Sequence, residues 1–243
     1  MRRILILPVL LLAAHPAIAA NDKTPPGSPC TKGNGNPCGG NNGNAGAQGN
    51  SGHGRPDPSA VDPKPANDFA IAVPMVRDRS AFISQVGEAN SAAIAQTGAA
   101  NYARIRQNGT DNRASTHQSV AVGYVDLAQS GTDNVAAITQ GGVGDAVHIA
   151  QQQGAGNRLT VTARATGGDV GAIIAQSGSD NALALDQDGD DNHARLVQSG
   201  DGNRMNLVQQ ASNNSIEWTQ VGDNLAGSLV QSGNQAIRVT QTR

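Results

Sequence analysis

The chain has 243 residues and a formal net charge of -2, and only 2% of its residues are aromatic and 37% apolar. So few large apolar side chains exclude an ordinary globular core, and the 30 glycines favour a disordered, fibrous or repetitive chain. The absence of a basic excess argues against general nucleic-acid binding.

The first twenty residues have the pattern of a secretory signal peptide. Arg2 and Arg3 form a short basic region, residues 4–14 form an apolar run too short to span a bilayer comfortably, and residues 17–19 resemble a cleavage site. No later stretch has the length and apolar character of a membrane-spanning helix. The sequence therefore predicts a signal peptide over residues 1–20 and an exported mature chain that does not insert into a membrane.

Residues 21–78 form a low-complexity segment rich in Gly, Asn and Pro. Because such a composition buries too little surface to offset chain entropy, this segment is predicted to be disordered. Its Cys30 and Cys38 are the only cysteines of the chain. In an oxidising compartment they permit a small-loop disulfide, with free or intermolecular thiols as the alternative.

Residues 79–243 repeat a unit of eleven residues in which a Gln is commonly followed by Gly two positions later and by Asn five positions later. The recurring glutamines are Gln85, Gln96, Gln107, Gln118, Gln129, Gln140, Gln151, Gln176, Gln187, Gln198, Gln209, Gln220, Gln231 and Gln241. The asparagines that follow them are Asn90, Asn101, Asn112, Asn134, Asn181, Asn192, Asn203 and Asn214.

An eleven-residue period is also the repeat of a right-handed coiled coil. Here each unit contains a Gly and a turn-forming pair such as Asp111-Asn112, which would break a helix after two turns. Between the turns the pattern alternates with period two, as in Asn90, Ala92, Ile94 and Gln96. Each unit is therefore predicted to be one strand and one turn.

Two such units would form a coil of 22 residues, and about seven stacked coils would form an all-β, two-sheet solenoid. The apolar pairs predicted to face inward are Ala92/Ile94, Ala103/Ile105, Ala136/Ile138, Val147/Ile149, Leu159/Val161, Ala172/Ile174, Leu183/Leu185, Ala194/Leu196 and Met205/Leu207. The inward Gln and Asn side chains are predicted to form ladders in which each amide bonds to its equivalent one coil away.

Residues 22 apart should then be neighbours in one sheet. This register places Arg104 beside Asp126, Tyr102 beside Tyr124, and Glu217 between Arg195 and Arg238. In the other sheet, every Arg of one column is separated from the next by a small or apolar residue. That column is Arg113, Val135, Arg158, Ala182, Arg204 and Ala226.

The sequence shows no catalytic constellation, cofactor motif or metal site. His117, His148 and His193 fall at predicted outward positions of separate coils and are interpreted as surface residues. Asp186, Asp188, Asp190 and Asp191 share one turn but lack the bidentate Glu and the spacing of a calcium loop. They are interpreted as gatekeepers against premature assembly.

The repeat spelled by residues 85–96, Q-x-G-x-x-N-x-A-x-x-x-Q, resembles the curlin repeat family over about residues 80–242. The resemblance implies a subunit of extracellular curli fibres on a Gram-negative bacterium. Its implied partners are further copies of itself, a nucleator or major subunit, and a dedicated outer-membrane secretion pore. The implied role is in biofilm matrix, surface adhesion and cell aggregation.

The architecture itself favours self-assembly, because a solenoid with uncapped ends presents unpaired backbone groups that suit head-to-tail polymerisation. Three other functions were weighed against a fibre subunit. A minor nucleator or surface adhesin of the same fibres fits the repeats equally well. An ice-binding solenoid would need a flat face of repeated Thr, and a β-helix enzyme acting on polysaccharides would need a groove with paired carboxylates.

Overall fold

The computed structural model describes Ile71 and residues 76–243. The predicted signal peptide, most of the segment over residues 21–78, and Cys30 and Cys38 lie outside the described residues. The described part of the chain contains fifteen strands and no helix, and so no helix that could span a membrane.

The strands are β1 (Ser80–Val86), β2 (Ser91–Gln96), β3 (Ala100–Thr110), β4 (Arg113–Ser119), β5 (Val122–Thr132), β6 (Val135–Gly142), β7 (Asp145–Ala155), β8 (Arg158–Ala165), β9 (Asp169–Ser179), β10 (Ala182–Asp188), β11 (Asn192–Ser199), β12 (Arg204–Gln210), β13 (Ser215–Val221), β14 (Ala226–Ser232) and β15 (Ala236–Thr242). Odd-numbered strands form an eight-stranded sheet and even-numbered strands form a seven-stranded sheet. Neighbouring strands within each sheet are parallel, as in β3–β5 and β4–β6. The chain therefore winds alternately through two sheets, which confirms the predicted β-solenoid of about seven coils.

Each corner of the solenoid depends on backbone conformations with positive φ. In the turn between β5 and β6, Gly131 has a φ of 115° and Asp133 a φ of 55°. The first value lies in a region that side chains rarely allow, whereas Asp tolerates the second, left-handed region. The Gly and Asp of the repeat thus turn the chain from one sheet to the other.

The core is a thin layer of apolar side chains between the two sheets. The inner face of β3 contributes Ala103 and Ile105, and that of β8 contributes Leu159 and Val161, all of which are buried. Small residues beside larger ones fill the space between sheets that lie about 10 Å apart. Eight of the nine predicted inward pairs lie in this core or pack against it.

Trp218 occupies one of these inward positions, where a smaller aliphatic residue is usual, and it is buried. Gly227 of β14 provides the space, because a Cβ on Gly227 would overlap the indole ring. The Trp218 indole N–H also lies 3.3 Å from Gln241 Oε1. The ring is therefore accommodated by a missing side chain on the facing strand.

The side-chain register of the sheets is the one that the 22-residue coil predicts. Arg104 pairs with Asp126, and their side chains form an ion pair. The rings of Tyr102 and Tyr124 stack with their centroids 5.0 Å apart and their planes at 9°. Glu217 lies between Arg195 and Arg238 in the register. The alternating Arg column of the other sheet is also observed.

The register departs from 22 residues around β7 and β9. Val122 pairs with Asp145, 23 residues away, and Asp145 pairs with Asp169, 24 residues away. The extra residues lie in the turns before β7 and β9, so the strands keep their regular pairing. One extra residue before a strand, however, exchanges which of its side chains face inward.

That exchange overturns three predictions for β7. His148, predicted to be outward, faces the core and is fully buried. Val147 and Ile149, predicted as an inward pair, occupy the alternate positions, and Ile149 is exposed. The inward positions of this strand are instead Ala146, His148, Ala150 and Gln152. The solenoid therefore places a histidine inside its core.

Candidate functional site

An unbroken column of glutamine side chains runs through the eight-stranded sheet. It consists of Gln85, Gln107, Gln129, Gln152, Gln176, Gln198, Gln220 and Gln241, and each Nε2 donates to the Oε1 of the next residue over 2.6–2.9 Å. The Nε2 atoms also donate across the core, as Gln107 does to the Ser91 carbonyl over 3.0 Å. These bonds satisfy the buried amides and fasten the two sheets together.

This column corrects one predicted ladder residue. Gln151 lies on the outer face of β7, is exposed and takes no part in the column, whereas the neighbouring Gln152 is buried within it. The physical reason is the extra residue in the turn before β7, which moves Gln151 to the outside. Gln152 was missed for the same reason.

The glutamine column of the seven-stranded sheet has a gap. Gln96, Gln118 and Gln140 bond in series over 2.8 Å, and Gln187, Gln209 and Gln231 continue over 2.9 and 2.8 Å. Between these two groups, Ala163 of β8 occupies the glutamine position. The two groups of glutamines are therefore separated by one strand without an amide.

Asparagines form a third column at one corner of the solenoid. The column contains Asn90, Asn112, Asn134, Asn157, Asn181 and Asn203. Each Nδ2 from Asn112 to Asn181 donates to the preceding Oδ1 over 3.0 Å, and Asn203 bonds through its backbone N–H. Asn157 was not recognised in the sequence, although it follows Gln152 by the usual five residues.

At the opposite corner the asparagine column is interrupted. Asn192 and Asn214 bond over 3.0 Å. Asn101 is separated from them because Gly123, Ala146 and Val170 take the equivalent positions. Asn101 Oδ1 is accordingly buried without a hydrogen bond among the described residues. The repeat is therefore least regular at this corner, from β5 to β9.

The glutamine and asparagine columns have opposite directions. In the glutamine column the N–H groups point toward β15, so that each residue donates to the one 21 to 24 positions later. In the asparagine column each residue donates to the one 22 to 24 positions earlier. Each end of the solenoid therefore presents one unused acceptor type and one unused donor type.

The ends of the described solenoid are open. β1 pairs with β3 alone and β15 with β13 alone. Ile83 of β1 occupies the same inward position as the fully buried Ile105, yet it is 49% exposed. At the other end Val239 of β15 is only partly buried, whereas its partner Trp218 is buried. Core positions at both ends thus lack the neighbour that every inner strand has.

The outward charges show how the coils tolerate one another. Glu217 accepts from Arg238, with a 2.8 Å ion pair. Asp145 and Asp169 are like-charged neighbours, and burial together with the Asp169 charge raises the pKa of Asp145. Exposed ion pairs of this kind contribute about 0.2–1 kcal/mol each. The sheets are therefore held mainly by the core and the amide columns.

The predicted gatekeeper aspartates take part in hydrogen bonding between turns. The Asp190 carboxylate accepts the backbone N–H groups of Thr166 and Gly167, both over 2.8 Å. Asp186 lies 3.9 Å from Arg164. Within the residues that the structure describes, no group of three or more His, Cys, Asp or Glu side chains is arranged to hold a metal ion. These carboxylates connect one coil to the next.

The other two histidines differ in environment. His117 is exposed on β4, as predicted. His193 has an outward position on β11 but is buried, with 4% of its surface exposed, which the alternating pattern alone did not indicate. Its neighbour in the register is Gly171, against which Ile71 packs. A residue from before the first strand therefore contacts this outer face.

The fold and the continuous amide columns define a parallel β-solenoid built for stacking of identical strand-turn units. The family described as curlin associated repeat matches residues 78–109, 87–119 and 178–210, which confirms the resemblance to the curlin repeat family. No curated protein and no solved structure matches the chain. The coils outside the matched residues, including the irregular β7 to β9, follow the same two-sheet path.

Proposed function

We propose that this protein is a secreted structural subunit of curli-type fibres, which grow by head-to-tail stacking of solenoids. The observation that carries the proposal is the pair of open ends with unsatisfied, complementary groups. Among described residues Gln85 Oε1 accepts no hydrogen bond, while Gln241 Nε2 at the opposite end makes only a 3.4 Å contact with the Ala226 carbonyl. A second copy supplies the donor for the first and the acceptor for the second.

Apolar surface supports the same conclusion. Phe82, Ile83 and Val86 of β1 are 53%, 49% and 63% exposed. Of these, only Ile83 points toward the interior of the solenoid, so an added strand would bury it as Ile105 is buried. Burial of apolar surface contributes about 25 cal/mol per Å², and the new strand also satisfies the backbone groups of the edge. A contact between two different ends does not close on itself and therefore gives a filament.

The cellular context follows from the family. Curlin repeats imply export through an outer-membrane pore, assembly outside the cell, and a role in biofilm matrix, adhesion and aggregation. A nucleator that seeds such fibres has the same open ends. Seeding distinguishes the two, since a nucleator shortens the lag of a second subunit and a major subunit elongates existing fibres.

The test compares two substitutions on β1 in the chain lacking residues 1–20. Ile83→Lys places a charge at the inward terminal position, where it stays hydrated in the monomer but is buried in the stack at a cost of several kcal/mol. We expect seeded growth, followed by thioflavin fluorescence, to slow at least tenfold. Phe82→Lys, on the outer face of the same strand, serves as the matched control and is expected to grow within about threefold of wild type.

Equal growth of the Ile83→Lys and Phe82→Lys chains would contradict stacking through β1. A wild-type chain that stays monomeric with and without seeds would overturn the fibre function altogether.

A further inference from the structure

We propose that His148 replaces the glutamine missing at position 163, and that it does so as the neutral Nε2–H tautomer, which joins the two halves of the interrupted column and sets the register of the irregular coils. The structural basis is a pair of contacts. His148 Nδ1 lies 2.8 Å from Gln140 Nε2, and His148 Nε2 lies 3.1 Å from Gln187 Oε1. The imidazole thus bridges β6 and β10 across the gap at β8.

The environment of Gln140 shows that the ring stands where an amide oxygen normally stands. Gln96, a regular member of the column, donates to two backbone carbonyls over 3.0 and 3.1 Å and to the next glutamine oxygen over 2.8 Å. Gln140 has two carbonyl partners, Tyr124 and Ala146, at 3.1 Å and His148 Nδ1 at 2.8 Å. His148 Nδ1 therefore takes the acceptor position of the absent residue.

The partners also determine the tautomer. A primary amide nitrogen cannot accept a hydrogen bond, so His148 Nδ1 must be the acceptor from Gln140. His148 Nε2 then carries the hydrogen and donates to Gln187 Oε1. This preserves the direction of the column, because each member still donates toward the β15 end. A doubly protonated ring would place a hydrogen against the Gln140 amide.

Two departures from the repeat make this bridge and each requires the other. The extra residue before β7 turns His148 inward, while the short Ala163 side chain leaves room for the ring. Equivalent positions to His148 on the neighbouring strands hold Val125 and Ala172, which reach no ladder residue through hydrogen bonds. A regular β7 would present Val147 here, and the Gln140 and Gln187 groups would lose their connection.

No charged group shares the core with the ring. The inner faces of β5 to β10 carry only apolar, Gly, Gln and His side chains. The titratable or charged residues of these strands occupy outward positions: Tyr124, Asp126, Asp145, Arg158, Arg164, Asp169, Asp186 and Asp188. Burial lowers the pKa of His148 to about 4, opposed by its bond to Gln187. The neutral ring is thus maintained by desolvation.

The experiment is a double-substitution cycle on the chain lacking residues 1–20, with His148→Ala, Ala163→Gln and both together. His148→Ala removes the bridge, and Ala163→Gln crowds the ring, so each alone is expected to lower the denaturant midpoint of unfolding. The double variant restores an amide at position 163 with Ala at position 148, as in the Ala172 position of the next coil. Its midpoint is expected to recover at least half of the summed loss.

A pH series distinguishes this role from simple packing. Because the folded pKa lies below the usual value of 6.5, stability is fully present above pH 6.5 and falls as the pH decreases from 6.5 toward 4. The difference in midpoint between wild type and the double variant isolates His148 from the carboxylates. We expect that difference to change within this window, and His117→Ala, at an exposed histidine, to leave the wild-type profile unchanged.

Nitrogen-15 NMR of the wild-type chain keeps the test decisive if a variant fails to fold. The expected signature is an Nε2–H tautomer that stays neutral at pH 5.5. An Nδ1–H tautomer, titration near 6.5, or strictly additive losses in the double variant would overturn the proposal. None of these outcomes bears on fibre growth, which the β1 substitutions test separately.

Discussion

Replacing Gly131 with Ala is expected to destabilise the solenoid by more than about 3 kcal/mol, through backbone strain and a direct clash. Gly131 has a φ of 115°, and a Cβ there would overlap the carbonyl oxygen of Gly154 in the next coil. Neither atom can move aside, because both belong to the backbone of stacked turns. The coils on either side of the turn would then have to separate locally.

The matched control is Gly141→Ala, ten residues further along the chain. Gly141 lies in β6 without a positive φ, and the nearest atom to an added Cβ is Ser119 Oγ at 3.5 Å. This substitution is expected to change stability by less than about 1 kcal/mol, since it restricts the unfolded chain without creating a clash. Denaturant unfolding followed by far-ultraviolet circular dichroism measures both. Equal stability of the two variants would show that the turns are not stacked in this way.

Replacing Gln152 with Leu is expected to cost about 2–4 kcal/mol, whereas Gln151→Leu should change stability by no more than about 0.5 kcal/mol. Loss of the Gln152 amide leaves Gln176 Oε1 without its donor and removes the acceptor of Gln129 Nε2. It also frees the Val135 carbonyl of the facing strand. Gln151 is exposed and makes none of these bonds.

These adjacent substitutions have nearly the same composition and volume, so their difference reports only the register of β7. The same circular-dichroism measurement applies, with fluorescence of the single buried Trp218 as a second probe. A larger loss for Gln151→Leu would mean that β7 follows the uninterrupted eleven-residue spacing and that His148 faces solvent.

The regular part of the fold could be predicted because several patterns agree there. Around β3 and β4 the Gln and Asn spacing, the period-two alternation and the Gly-containing turns all indicate the same strand and turn. Cross-coil pairs such as Arg104 and Asp126 then identify which units are neighbours. Local sequence is sufficient wherever every unit has the same length.

The irregular part could not be read from spacing alone because a Gly-rich turn hides an insertion. Residues 141–145 absorb one extra residue without a change in composition, and three consecutive glutamines, 151 to 153, offer no obvious choice of inward residue. The available signal was downstream, since Asn157 follows Gln152 by five residues. The link between His148 and Ala163 depends on contacts across the core, which one-dimensional periodicity does not contain.

The direction of the amide columns also required coordinates. A sequence shows that Gln85 and Gln241 end the series, but not which one presents the acceptor and which the donor. That polarity makes the two ends complementary to each other and unlike themselves. Self-pairing of identical ends would leave like groups opposed, so the columns favour head-to-tail order.

The most direct test of stacking is an electron cryomicroscopy reconstruction of fibres grown from the wild-type chain. It should show strands perpendicular to the fibre axis at a spacing of about 4.8 Å, with β1 of each copy beside β15 of the next and both sheets continuing across the junction. A reconstruction in which copies meet through the outer faces of their sheets, leaving β1 and β15 unpaired, would contradict it.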